Sequence, residues 1–260
     1  MSDPRRFAYA GKGGELFSLA LAQGLLTMIT AGVYGAWAYV RIRAYLVSQL
    51  TLDGKPFAFN AKGGKLFSLI LGQGLLTMIT AGIYAPWAMV KLRSYLMEST
   101  TYDGKPFAFE GRGGALFSLC LGQGLLTMIT AGIYGPWAFV QIQRYLMANT
   151  LYDGKAFGFT AGGGRLFSLC LGQGLLTMIT FGIYGAWAYV KIIGYIASQV
   201  TYGSDQVFAF EATGGEYFSL GLKGAVLSAI TLGIWSAWFQ IELNRFLAGS
   251  LSLEPKVAGE

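Results

Sequence analysis

The chain repeats itself. Trp37, Trp87, Trp137 and Trp187 lie fifty residues apart, and Trp238 follows after one inserted residue. Segments 66–90 and 116–140 are identical at 22 of 25 positions. Self-similarity at such a period marks a stack of supersecondary units, none of which can bury its apolar face alone. The copies read as 7–56, 57–106, 107–156, 157–207 and 208–260, together a single repeat domain. The fifth copy diverges and carries Lys223 inside its apolar block, as terminal copies of a stack commonly do.

The third copy shows what one unit encodes. Gly113-Gly114 precedes an apolar stretch, Leu116 to Ala131, of about four helical turns. Gly132 follows as a left-handed cap, and Tyr134-Gly135-Pro136-Trp137 turns the chain, with Pro136 suited to the first turn of a second helix. That helix is expected over 137–149. Asp153-Gly154 then sits between alternating residues, the strongest short hairpin signal. Equivalent turns are expected at Asp53-Gly54 and Asp103-Gly104, with Gly203-Ser204-Asp205 as a variant.

Charge is scarce. Only 12% of residues are charged against 54% apolar, about half the usual charged share of a soluble domain, and lipid contact accommodates that shortage. The apolar run Leu16 to Ala31 recurs downstream, so it is architecture and no cleaved leader. Each of the first four copies holds an uncharged block of 25 residues, such as Leu16 to Val40. If each block crossed once, eight basic residues would face ten on the other side, no asymmetry at all. If each block turns at its Gly-Ile-Tyr-x-Pro-Trp segment, 18 of 19 basic residues share one face, and the positive-inside rule makes that face cytoplasmic. The expected fold is therefore an all-α membrane protein with short β-hairpins: five tandem helix-turn-helix plus β-hairpin units, with hairpins and termini cytoplasmic. The sixteen residues of Leu16 to Ala31 reach about 24 Å, short of a ~30 Å hydrocarbon core. Full crossing of a thinned bilayer is the first expectation, with shallow insertion and a soluble form as the alternatives. The chain begins and ends with half of a strand hairpin, which is satisfied by closure into a pseudo-five-fold ring or by a head-to-tail polymer.

Few residues offer chemistry. No histidine occurs, and no nucleophile–base pair or metal cluster is visible, so the chain reads as no enzyme and needs no cofactor. The basic residues are dispersed without a dense run, which argues for anionic lipid as partner over nucleic acid. Gln23, Gln73, Gln123 and Gln173 occupy equivalent mid-helix positions and read as interhelical glue or a polar path. Trp37, Trp87, Trp137, Trp187 and Trp238 suit membrane-interface anchors. Lys12, Lys62 and Arg112, at the start of first helices, and Arg41, Arg93 and Arg144, on second helices, are candidate lipid headgroup contacts. Lys223 is an intramembrane charge and so a functional candidate. Asp53, Asp103 and Asp153 are explained by turn chemistry, and Cys120 and Cys170 as small hydrophobes.

The residues Leu116-Phe117, Leu125 to Ile129, Gly132 to Ala138 and Asp153 to Phe159 carry a resemblance to the YjgN-like bacterial inner-membrane family of unknown function. The similarity covers nearly the whole chain and departs at Gln141, Gln143 and Ile193. It implies an inner-membrane location and supplies no activity. Two readings of function follow. One is a self-assembling scaffold, membrane-shaping protein or accessory subunit of a larger membrane complex, with a homo-oligomer as one form. The other is a small-solute transporter or channel.

Overall fold

The computed structural model describes residues 4–203 and 206–255. Each repeat begins with a strand and continues as a helical hairpin and a second strand. The first contributes β1 (Arg5–Tyr9), α1 (Gly13–Ile29), α2 (Gly35–Ser48) and β2 (Leu50–Leu52). The second contributes β3 (Lys55–Phe59), α3 (Gly63–Ile79), α4 (Ala85–Glu98) and β4 (Thr100–Tyr102). The third contributes β5 (Lys105–Phe109), α5 (Gly113–Ile129), α6 (Gly135–Ala148) and β6 (Thr150–Tyr152). The fourth adds β7 (Lys155–Phe159), α7 (Gly163–Ile179), α8 (Gly185–Ser198) and β8 (Val200–Tyr202). The fifth adds β9 (Gln206–Phe210), α9 (Gly214–Ile230), α10 (Ser236–Gly249) and β10 (Leu251–Pro255).

The all-α expectation is overturned. The strands follow one another as hydrogen-bonded neighbours in the order β1-β10-β9-β8-β7-β6-β5-β4-β3-β2, a closed antiparallel barrel. The expected hairpins exist, since Leu52 pairs with Lys55 and Tyr102 with Lys105 across two-residue turns. What the all-α reading omitted is the pairing between repeats, such as Phe57 with Tyr102. That pairing turns isolated hairpins into a sheet. The expectation of transmembrane helices is corrected as well. Among the described residues no helix is long and apolar enough to cross a membrane, because the uncharged block is broken at its middle turn into helices of 17 and 14 residues.

Two compact units emerge, Arg6–Phe109 with Leu222–Gly249, and Glu110–Gly221 with the chain ends. In the first, β1 to β5 form an antiparallel meander, and α10, α1, α2, α3 and α4 pack in that order as a row. In the second, β6 to β10 form the meander, and α5 to α8 the row. Alternate strand residues pack toward helices: Tyr9 lies against Leu16 and Ile241, and Phe159 against Val140 and Leu166.

The turns obey their sequence signals. Asp53 (φ 51°) and Gly54 (φ 74°) both adopt the left-handed region, the signature of a type I′ turn, and the pairs at 103–104 and 153–154 repeat it. In the variant turn only Gly203 is described; Ser204 and Asp205 lie outside the described residues.

Candidate functional site

The most exposed apolar surface is the end of each helical hairpin remote from its strands. Met28, Ile29, Met78, Ile79, Met128, Ile129, Met178, Ile179 and Ile230 are 72–80% exposed. Phe181 is 98% exposed and Leu232 94%. The left-handed cap starts one residue before the glycine that the sequence suggested. Ala31, Ala81, Ala131, Phe181 and Leu232 have φ of 48–50°, and the following glycine is also positive. Gly132 N–H donates to the Thr127 carbonyl (2.8 Å) and Ala131 N–H to the Met128 carbonyl (3.1 Å), a Schellman closure. A non-glycine residue there costs roughly 1–2 kcal/mol.

The backbone donors from residue 30 to residue 35 are all taken. Thr30, Ala31, Gly32, Val33 and Gly35 donate to carbonyls of residues 26, 28, 27, 30 and 32. Tyr34 N–H donates to Thr30 Oγ1 (3.0 Å), which itself donates to the Leu26 carbonyl (2.8 Å). The same six donors are satisfied in every repeat, with Thr80, Thr130, Thr180 and Thr231 in the threonine role.

Beneath the tip lies a polar layer. Gln73 stands six residues before the helix end at Ile79, and Lys91 six residues after the start of α4 at Ala85, so each sits about 9 Å from the tip at 1.5 Å per residue. Tyr84 hydroxyl joins them, donating to Gln73 Oε1 (3.1 Å) and accepting from Lys91 Nζ (3.1 Å). In the fourth hairpin Lys191 Nζ donates to Tyr184 hydroxyl (2.8 Å). Gln23, Gln123 and Gln173 place Oε1 out of solvent with no protein partner among the described residues. Gln73 bonds only within its own hairpin, and no hydrogen bond among the described residues joins one glutamine to another as a continuous path would need.

Four tryptophans of the series meet the next repeat. Trp37 stacks on Tyr34 (5.9 Å between centroids) and packs on Phe67 (5.4 Å), with Gly63 pressed against its indole. Trp137 with Gly163 and Phe167, Trp187 with Gly214 and Phe218, and Trp238 with Gly13 and Phe17 repeat the wedge. Trp87 stacks on Tyr84 (5.8 Å). The first glycine of each of these helix-opening pairs supplies this close approach.

The basic residues divide. Lys12, Lys62 and Arg112 are exposed at the N-caps of α1, α3 and α5, a helix length of about 25 Å from the tips. Their backbones are clamped by a tyrosine that the sequence reading missed: Tyr95 hydroxyl accepts from Lys62 N–H (2.6 Å) and donates to its carbonyl (3.0 Å). Tyr45 and Tyr145 do the same at Lys12 and Arg112. The signal was a constant spacing of 33 residues. Arg93 lies over the Phe109 ring (5.2 Å to its centroid), and burial pushes its guanidinium below the usual value. Arg144 donates to the carbonyls of Phe159 (3.3 Å) and Ala161 (3.0 Å). Arg41 is exposed, level with Lys91 in its own hairpin. Lys223 is no lone charge: it pairs with Glu242 at 2.7 Å and lies over the Trp235 ring. Cys120 and Cys170 are free and half-buried.

A family model described as "Bacterial protein of unknown function (DUF898)" matches residues 4–71, 56–122, 104–171 and 205–257. A protein of Salmonella typhimurium named inner membrane protein YjgN is 44% identical over 48 residues, 18% of this chain and 12% of that protein. The matched stretch thus spans about an eighth of the length of that curated relative. No solved structure matches.

Proposed function

The chain belongs to this DUF898 family of bacterial proteins of unknown function, and we propose that it is a non-catalytic inner-membrane protein that seats its hairpin tips in one leaflet and holds them on a β-sheet scaffold. The observation that carries this reading is the pairing of exposed apolar side chains with internally satisfied backbone donors at every tip. Hydrocarbon demands both, since an unsatisfied backbone group there costs several kcal/mol. Water demands neither. Phe181 and Leu232 occupy a strained left-handed position while almost wholly exposed, an arrangement that is unfavourable twice over in water and that burial in lipid offsets.

The depth follows from the polar layer about 9 Å below the tip, against a half-bilayer of about 15 Å. Shallow insertion therefore replaces the crossing hairpin, and the turns stay within the leaflet they enter. The relative named an inner membrane protein supports the same location for this chain. Wedges in one leaflet expand it relative to the other, which favours the membrane-shaping scaffold over a transporter; the separated glutamines offer transport no path.

The test is Ile79→Asp, Ile129→Asp and Ile179→Asp together, with flotation on phosphatidylcholine vesicles after dilution from detergent. A carboxylate at depth costs up to about 3 kcal/mol, so the triple variant should bind at least 100-fold more weakly. Unchanged flotation would sink the proposal. So would labelling of a cysteine at Gly132 by an impermeant thiol reagent applied only to the far side of sealed vesicles.

A further inference from the structure

We infer that Arg41, Lys91 and Lys191 are a phosphate-contacting layer, each taking the phosphodiester of an anionic phospholipid at the rim of its inserted tip. The inference rests on the one-leaflet seating proposed above. Its first support is level. All three occupy the same helical position, about 9 Å below the tip, where an inserted hairpin passes from acyl chains to headgroups. Helical side chains lean toward the helix N-terminus, here the tip end. Lys91 and Lys191 do so, each bonded to the hydroxyl of Tyr84 or Tyr184. The tyrosine oxygen takes one ammonium donor, and two of three remain for a phosphate.

The second support is charge. In the first four repeats no Asp or Glu lies between Leu16, Leu66, Leu116 or Leu166 and residues 41, 91, 141 or 191. In these four hairpins every charged group at this level is a cation, and Glu242 of the fifth is paired with Lys223. The remaining second-helix arginines are committed elsewhere: Arg43 lies over Phe59, Arg93 over Phe109, and Arg144 and Arg245 donate to carbonyls of the next strand or loop. The third and fifth hairpins are the natural contrasts. Gln141 is neutral, and Glu242 ties up Lys223.

The experiment compares flotation on phosphatidylcholine vesicles with and without phosphatidylglycerol. A cation near an anionic surface contributes about five-fold in affinity. Arg41→Gln, Lys91→Gln and Lys191→Gln together should therefore weaken binding to the phosphatidylglycerol vesicles about 100-fold and leave binding to pure phosphatidylcholine unchanged. Glu242→Gln frees Lys223 and should tighten binding to the anionic vesicles about five-fold. Lys12→Gln, Lys62→Gln and Arg112→Gln together should leave the contrast intact, as groups remote from the bilayer. Circular dichroism of each variant establishes folding, and Arg41→Lys, Lys91→Arg, Lys191→Arg should restore the contrast. An anionic preference that survives the triple glutamine variant overturns the inference, as does equal weakening on both vesicle types. Inorganic phosphate that abolishes the contrast at matched ionic strength would mean a soluble-phosphate site instead. Tip variants that still bind phosphatidylcholine refute the seating itself, a result independent of the lipid contrast.

Discussion

Gly63→Ala tests how one repeat is fixed to the next. An alanine Cβ at 63 would overlap Trp37 Cδ1 and stand 2.5 Å from Trp37 Cγ and 2.9 Å from Trp37 Cα. The indole has a rotamer to change, but the Cα belongs to the backbone of α2, so α2 and α3 must move apart. Overpacking of this kind costs about 1–3 kcal/mol, and the backbone clash places this case at the upper end. Gly64 is the matched control. Its Cβ would meet only Trp37 Cζ2 at 3.8 Å, an ordinary contact, and alanine in a helix is preferred to glycine by roughly 0.5–1 kcal/mol. For a domain of this size each kcal/mol shifts the melting temperature by about 2–4 °C. Melting followed by circular dichroism in one detergent should thus fall by roughly 5–10 °C for Gly63→Ala and rise by about 2 °C for Gly64→Ala. In a Trp37→Ala background the Gly63→Ala cost should shrink without vanishing, because the clash with the backbone of α2 persists. Equal melting of Gly63→Ala and Gly64→Ala would refute the wedge, and an undiminished cost in the Trp37→Ala background would refute the role of the indole.

Tyr95→Phe removes the hydroxyl that clamps both backbone groups of Lys62, and should cost about 1–3 kcal/mol, read in the same melting assay. Thr213→Val removes one half of a reciprocal cap, in which Thr213 Oγ1 accepts from Glu216 N–H (3.3 Å) and Glu216 Oε2 accepts from Thr213 N–H (3.4 Å). Its expected cost is about 1 kcal/mol, and an unshifted melt would remove the cap from the account.

Much of the local structure was legible. The Asp-Gly turns, the helix breaks, and Pro86 and Pro136 in first helical turns all follow from residue chemistry. The sheet was not, because strands of three to five residues carry no signal naming their partner; Phe57 meets Tyr102 only once neighbouring repeats are set side by side. The tryptophan spacing was plain, yet its complement is a glycine 26 residues on, Gly63 after Trp37, and large-to-small pairing across a repeat boundary escapes any single-unit reading. Lys223 looked solitary because Glu242 sits on the other arm of its hairpin, 19 residues away. The polar layer was hidden for a related reason: residue counting measures the length of an apolar block, whereas Tyr84 marks where polarity begins by joining Gln73 to Lys91.

The fifth repeat separates what the hairpin needs from what the other copies happen to contain. Where the first four pair glutamine with alanine, as Gln73 with Ala88 in aligned positions, the fifth has Gly224 and Phe239, so close that a Cβ at 224 would overlap Phe239 Cδ2 and stand 2.5 Å from its Cε2. Bulk has moved from one helix to the other. Phe246 stands where the other repeats have the clamping tyrosine, and the reciprocal cap of Thr213 and Glu216 holds the helix start instead. Glu242 replaces the cation of the polar layer, and Lys223 arrives opposite it. Each change beneath the tip comes with a change in its partner. The tip itself keeps the threonine, the left-handed residue and the glycine as Thr231, Leu232 and Gly233, with the same internal hydrogen bonds and with Leu232 almost wholly exposed. A packed interior constrains pairs and permits such exchanges, whereas a surface meeting hydrocarbon has no partner residue to change with it. The proposed seating calls for apolar side chains and hydrogen-bonded donors along the turn, and the fifth tip retains both from Thr231 to Ser236.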